Sequence, residues 1–150
     1  MQRLVSRLKT RKGFTLVELA VVIVIIGVLA AFGVPKFLNS VEKSKASEAF
    51  NYLSTIQSAQ ERYLAQNGVY STTVAALDIT LPAPQYFDNP TTITTTPTNG
   101  APTWSLTLTR STSSSYAYTV VWTENGFDSS STINSYPQIC PVTTAAGSGS

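Results

Sequence analysis

One segment fixes most of what this chain can become. Phe14 to Val34 is 21 residues long, and from Leu19 to Val34 it holds no charged side chain. As a helix it measures about 31 Å, the hydrocarbon thickness of a bilayer. Five bases precede it (Arg3, Arg7, Lys9, Arg11 and Lys12) and no acid does. By the positive-inside rule that end stays on the cytoplasmic side. From Phe14 onward five bases face eight acids, so the formal charge of +2 combines a leader of +5 with a remainder of −3. Glu18 is the exception within the apolar run. A carboxylate in hydrocarbon costs several kcal/mol when unpaired and normally has a partner. Two other readings stay open: Glu18 reaches the interface, or the run is a secretory signal peptide cut near Ala31 and Gly33. The second would discard a helix that continues well past the cut.

The side chains narrow the chemistry. The chain has no histidine and one cysteine, Cys140, whereas most triad, general-base and zinc sites need those residue types in convergent positions. No Gly-rich phosphate loop lies between a strand and a helix. Only Asp78, Asp88, Glu124 and Asp128 lie beyond the helical half, and their spacing singles out no catalytic pair. We therefore expect no enzyme, no cofactor and no metal. A lone cysteine excludes an intrachain disulfide. Charged residues make up 12% of the chain, about half the usual share, and give no sign of a specific nucleic-acid partner.

Lys12-Gly13-Phe14-Thr15-Leu16-Val17-Glu18-Leu19 resembles the processing motif of the type IV pilin superfamily, which includes the pseudopilins of type II secretion. The resemblance covers the basic leader, the Gly-Phe junction, the glutamate and about 20 apolar residues. It implies that a prepilin peptidase/methyltransferase cuts between Gly13 and Phe14 and N-methylates Phe14. Residues 1–13 are then lost as a leader, and 14–35 remain as a transmembrane helix that becomes a filament core. Cutting creates an α-amino charge on Phe14. In a filament of staggered parallel subunits the Glu18 carboxylate of one copy can neutralise the Phe14 amine of its neighbour and so set the stagger. Gly27 and Pro35 weaken this helix. The resemblance allows the stretch between them to unwind in the filament; a simple kink is the alternative.

Beyond Pro35 the helical period persists to Asn67. Leu38, Val41, Ala46, Ala49, Phe50, Leu53, Ile56, Ala59, Tyr63 and Leu64 mark one face; Glu42, Lys43, Lys45, Ser47, Glu48, Gln57 and Glu61 mark the other. Residues 36–67 thus read as an amphipathic helix that ends at an Asn67-Gly68 cap. Residues 68–90 match the connecting αβ loop of the superfamily. Within it, Thr72 or Thr73 can start a short helix that runs through Leu77.

Residues 91–140 read as an antiparallel sheet. Trp104, Leu106 and Leu108 alternate with hydroxyls in one strand, and Tyr116, Tyr118, Val120 and Trp122 line one face of another. Ser111 to Ser115 joins them. Glu124-Asn-Gly-Phe turns toward a third strand near Ser130–Ser135, and Thr91–Thr96 adds an edge strand. Ser and Thr supply 26 of the 60 residues from Thr91 on, so hydroxyls carry the surface solvation, as a bare exterior or as O-glycosylation acceptors. Residues 141–150 read as a flexible tail.

The expected class is α+β: a long N-terminal spine helix, apolar then amphipathic, packed on three or four antiparallel strands, which is the pilin fold. Two features depart from the superfamily. Cys140 has no partner for the usual C-terminal staple, although Pro137 and Pro141 flank it, so a buried thiol or an intermolecular bond is left. No Asp-Pro-Trp-Gly stretch marks the calcium loop of major pseudopilins, and Asp88-Asn89-Pro90 is a weak substitute. The leading expectation is a type IVa-like pilin, held as a single-pass inner-membrane protein with its head outside the cytoplasm, then polymerised with itself into a surface filament for adhesion, motility or DNA uptake. The resemblance supplies its partners: the peptidase/methyltransferase, an inner-membrane assembly platform, minor pilins and the inner membrane. A periplasmic pseudopilin of type II secretion is the alternative, and a membrane-anchored binding module that never polymerises is a third.

Overall fold

A computed structural model describes residues 13–96, 102–111 and 116–142. The leader up to Lys12, most of the Ser111–Ser115 connection and the tail beyond Val142 lie outside the described residues. The chain divides into two units, one up to Phe37 and one from Leu38 onward.

In the first unit, among the described residues, a helix stands with nothing packed on it. Helix α1 spans Leu16–Asn67, and its residues up to Phe37 are exposed without exception. It is long and apolar enough to cross a membrane, and none of its most apolar stretch is buried. A side chain such as Leu29 or Phe32, at 66% and 77% exposure, is stable there only when lipid or other protein covers it. The helix runs unbroken through Gly27 and Pro35. Pro35 carries no N–H, so the carbonyl four residues earlier loses its intrahelical donor.

The second unit is built from the rest of α1 and four strands. They are β1 (Thr94–Thr96), β2 (Thr103–Thr109), β3 (Thr119–Thr123) and β4 (Gly126–Phe127), paired antiparallel in the order β1-β2-β3-β4. Strand β2 is central: Thr96 pairs with Thr103 at its start, and Thr109 pairs with Thr119 at its end. Trp104, Leu106 and Leu108 point inward and are at most 3% exposed, as the alternation in the sequence requires. They share one core with Phe50, Leu53 and Ile56 of α1, while Ala46, Ala49 and Ala59, buried beside these, keep that helical face narrow. Gly68 ends α1 at φ +74°, a conformation that costs residues with a Cβ roughly 1–2 kcal/mol.

Four sequence expectations need correction. Glu42, expected on the solvated face, is 4% exposed, and Leu38, expected in the core, is 54% exposed. An ion pair with Arg110, just past the end of β2, draws Glu42 inward, whereas no described strand covers Leu38. The third strand is not at Ser130–Ser135. It is the two-residue β4, and Thr132–Ser135 forms a 3-10 turn. There the Val121 N–H donates to Ser131 Oγ (2.8 Å) and the Thr119 N–H to Thr132 Oγ1 (2.7 Å). Hydroxyls satisfy the outer edge of β3 where a strand was expected. Likewise the short helix after Thr73 is a three-residue 3-10 turn with no side-chain cap.

Candidate functional site

At the amino-terminal junction the sequence folds locally into a capping box. Thr15 precedes the first helical residue, and Glu18 lies three residues on. Thr15 N–H donates to Glu18 Oε2 (2.9 Å), its hydroxyl donates to the same oxygen (2.8 Å), and Glu18 N–H donates back to Thr15 Oγ1 (3.2 Å). Two orphan donors of the helix start are thereby satisfied, and the carboxylate sits where the helix dipole favours an anion. The Thr-x-x-Glu signal is present in the sequence, yet the charge of Glu18 points first to an intermolecular role and leaves Thr15 with none. At Gly13 a methyl group in place of the α-hydrogen would have no heavy atom within 4 Å, and Phe14 is 82% exposed. Among the described residues nothing covers Gly13 or Phe14. Gly27 and Pro35 lie further along the same helix and are not brought to this site.

In the head, four polar side chains of α1 hold the loops in place. Glu42 receives Arg110 Nε on Oε1 (2.6 Å) and Nη2 on Oε2 (3.5 Å), while Arg110 Nη1 donates to the Tyr86 carbonyl (2.6 Å). Lys45 Nζ lies 3.4 Å from the same carboxylate, and Tyr118 donates to it at 3.3 Å. Glu48 accepts the N–H groups of Gln85 (2.8 Å) and Tyr86 (3.2 Å). Gln57 donates to the Glu124 carbonyl and accepts from Trp122 Nε1. Gln60, fully buried, exchanges both amide bonds with Ser71 (2.9 Å each). No periodicity argument could find these four, because each is explained by a partner distant in sequence.

The electrostatics follow from that geometry. Burial pushes the Glu42 carboxyl up, but the hydrogen bonds and charge of Arg110, with Lys45 added, outweigh it and hold the group below the usual glutamate value. Burial and then the Glu42 charge push the Tyr118 hydroxyl far above the tyrosine range, so it remains a proton donor. Cys140 is buried as a free thiol, its Sγ 3.1 Å from the Val142 carbonyl. Among the described residues no group of three acidic, cysteine or histidine side chains is placed to hold a metal ion. Glu42 (through Arg110), Glu48 and Gln60 hold the αβ loop, and Gln57 holds β3 and the turn that follows it.

A family model described as the prokaryotic N-terminal methylation motif matches residues 8–34. A second, described as type IV minor pilin ComP, DNA uptake sequence receptor, matches residues 35–141. Among similar proteins, the fimbrial protein EcpC of Eikenella corrodens is 37% identical over 61% of this chain and 60% of its own length. The type II secretion system core protein G of Vibrio cholerae is 35% identical over 53% and 54%. The type IV major pilin protein PilA of Myxococcus xanthus is 43% identical over 45% and 31%. The chain thus spans between about a third and three fifths of the length of these curated relatives. No solved structure matches it. These relatives are structural pilins and pseudopilins, and since the second family model alone covers well over half of the 150 residues, the chain belongs to the ComP family of minor pilins within the type IV pilin superfamily.

Proposed function

We propose that this chain is a structural subunit of a type IV pilus. It is cut after Gly13, methylated at Phe14 and polymerised through its apolar helix. The observation that carries this reading is the wholly uncovered helix from Leu16 to Phe37, headed by Glu18 and matched by the methylation motif. Lipid covers that surface before assembly, and copies of the same helix cover it afterwards. Residues 1–13 act as the leader, 14–35 as the membrane and filament helix, 36–67 with 91–140 as the head, and 68–90 as its αβ loop. The partners are the peptidase/methyltransferase, an inner-membrane assembly platform and minor pilins. Mass spectrometry of the mature amino terminus tests the processing: methylated Phe14 is expected, and retained Lys12 and Gly13 would refute it. Sheared surface fibres containing the chain are expected; its confinement to the periplasm would favour the type II secretion pseudopilus to which core protein G belongs.

The DNA-receptor role in the description of the ComP family is not the reading we favour for this chain. From Leu38 onward it holds four bases, Lys43, Lys45, Arg62 and Arg110, against seven acids. Arg110 and Lys45 are committed to Glu42, which leaves Lys43 and Arg62 to meet phosphates. Each phosphate contact adds about −0.9 to the dependence of log K on log salt. Duplex DNA titrations of the assembled protein should therefore give a slope no steeper than about −2. A slope of about −5 or beyond would restore the receptor reading.

A further inference from the structure

On the side of α1 that faces the αβ loop, polar side chains form a stripe. Ser44, Ser47, Glu48, Asn51, Tyr52 and Thr55 recur at helical steps over about 16 Å. They make one wall of a hollow of about 520 Å³, and Leu81 to Pro84 of the loop make the other. Glu48 accepts the Gln85 and Tyr86 N–H groups, so the two walls are pinned together. Tyr52, Leu81 and Ala83 also border a second hollow of about 410 Å³, lined otherwise by residues such as Ile79 and Pro90. Tyr52 is therefore the side chain common to both hollows on the helix side. It is 9% exposed, yet its hydroxyl bonds to no described residue and is not sealed in. A hydroxyl on so buried a side chain normally has a partner. Burial holds this one above the ordinary tyrosine value, so its proton stays available.

We propose that the hollow between α1 and the αβ loop binds a neutral oligosaccharide. Its size falls in the range of about 300–1,000 Å³ that small-ligand sites occupy. The helix wall offers both halves of the bonding that sugar hydroxyls need. Ser47 and Thr55 spend their own protons on the Lys43 and Asn51 carbonyls, which leaves their oxygens as acceptors. The Asn51 amide and the Tyr52 hydroxyl supply donors, and the Glu48 carboxylate has acceptor capacity beyond its two N–H bonds. Across the hollow, Leu81 and the rings of Pro82 and Pro84 give apolar cover for the C–H face of a sugar ring. Glu48 is the one charged group among the described residues of either hollow. An anion without a neighbouring cation there disfavours phosphates and acidic sugars. An extended peptide would need a free backbone edge, and neither wall has one. The helix backbone is bonded internally, Pro82 and Pro84 carry no N–H, and Glu48 takes the next two N–H groups of the loop. The hollow lies wholly in the second unit, so it needs no particular placement of the apolar helix.

The test is a saturation-transfer NMR titration of the full chain with maltotriose, cellotriose and chitotriose. Lauryldimethylamine oxide serves as the detergent, so that no detergent sugar competes. Saturable binding of at least one trisaccharide is expected. Tyr52→Phe is expected to weaken it about tenfold, the worth of one hydrogen bond to the ligand. The urea midpoint of that variant should not fall, because the hydroxyl has no protein partner to lose. Asn51→Ala, at an exposed position, is expected to give a similar loss of binding, and Asn125→Ala, in the turn after β3, none. If Tyr52→Phe also lowers the urea midpoint, Asn51→Ala alone decides by the same tenfold criterion. A sulfated form of the bound trisaccharide is expected to bind more weakly, repelled by Glu48. Binding of no probe at about 10 mM, ten times a millimolar Kd, overturns the proposal. So does binding that Asn51→Ala leaves unchanged, tighter binding of the sulfated form, or displacement of the sugar by a lower concentration of a proline-rich decapeptide.

Discussion

Glu18→Gln is expected to stop filament assembly while the chain still inserts in the membrane. The variant is chosen because Glu18 has two separable uses. As the third residue of a capping box it accepts the N–H and hydroxyl of Thr15, and glutamine preserves that arrangement. As a carboxylate it is the only charge available inside the apolar run to meet the Phe14 amine of a neighbouring copy, and glutamine removes it. If capping were the main use, Glu18→Gln would assemble normally, and Thr15→Ala would be the damaging change at about 1 kcal/mol. If neutralisation is the main use, each subunit joins with an amine left uncompensated in a dry core, a cost of several kcal/mol. About 4 kcal/mol is roughly a thousandfold in each association step, which no filament survives. Electron microscopy of sheared fibres, with membrane fractionation as the insertion control, decides it. Fibres at normal number and length from Glu18→Gln would sink the neutralisation role.

What can be read from the sequence divides along a physical line. The apolar run and the strand alternation are one-body signals: Leu29 needs cover and Trp104 needs a core, whatever their partners are. The helix end is legible for the same reason, since Gly68 takes its positive φ from its own lack of a side chain. The departures are two-body effects. On the helix, Glu42 looks like a solvated residue until Arg110, 68 positions later, supplies the charge that makes burial tolerable. Gln60 looks equally ordinary until Ser71 offers both halves of a backbone pair. At Ser130–Ser135 the composition suits a strand, but Ser131 and Thr132 bond the β3 backbone with their side chains, and the segment needs no strand geometry of its own. The capping box at Thr15 and Glu18 is legible and easily passed over, because a carboxylate in a membrane helix draws attention first to its charge.

Those two-body contacts also hold the αβ loop against α1. Arg110 is the centre of that arrangement. One guanidinium joins α1 through Glu42 and the loop through the Tyr86 carbonyl, and the Arg110 backbone beyond β2 pairs with Phe87. Arg110→Ala is therefore expected to cost about 3–5 kcal/mol, the range for breaking a buried pair by removing one partner. That is a large part of the roughly 5–15 kcal/mol that holds a typical domain together. Arg110→Met combined with Glu42→Gln should recover most of the loss, because the penalty is an orphaned buried charge and not the absence of the pair. The pH dependence gives an independent check. Glu42 has a folded-state value below its unfolded one, so its contribution is present above the ordinary glutamate value of about 4.3 and is lost as pH falls through the folded value. Urea unfolding of the detergent-solubilised chain, followed by Trp104 and Trp122 fluorescence, should show stability declining below about pH 4.3 in the parent. The double variant should show a smaller decline over the same window. An Arg110→Ala head within about 1 kcal/mol of the parent, well short of the cost of an orphaned buried charge, would mean that hydrophobic packing of α1 on β2 fixes the loop unaided, and that the buried pair only accompanies it.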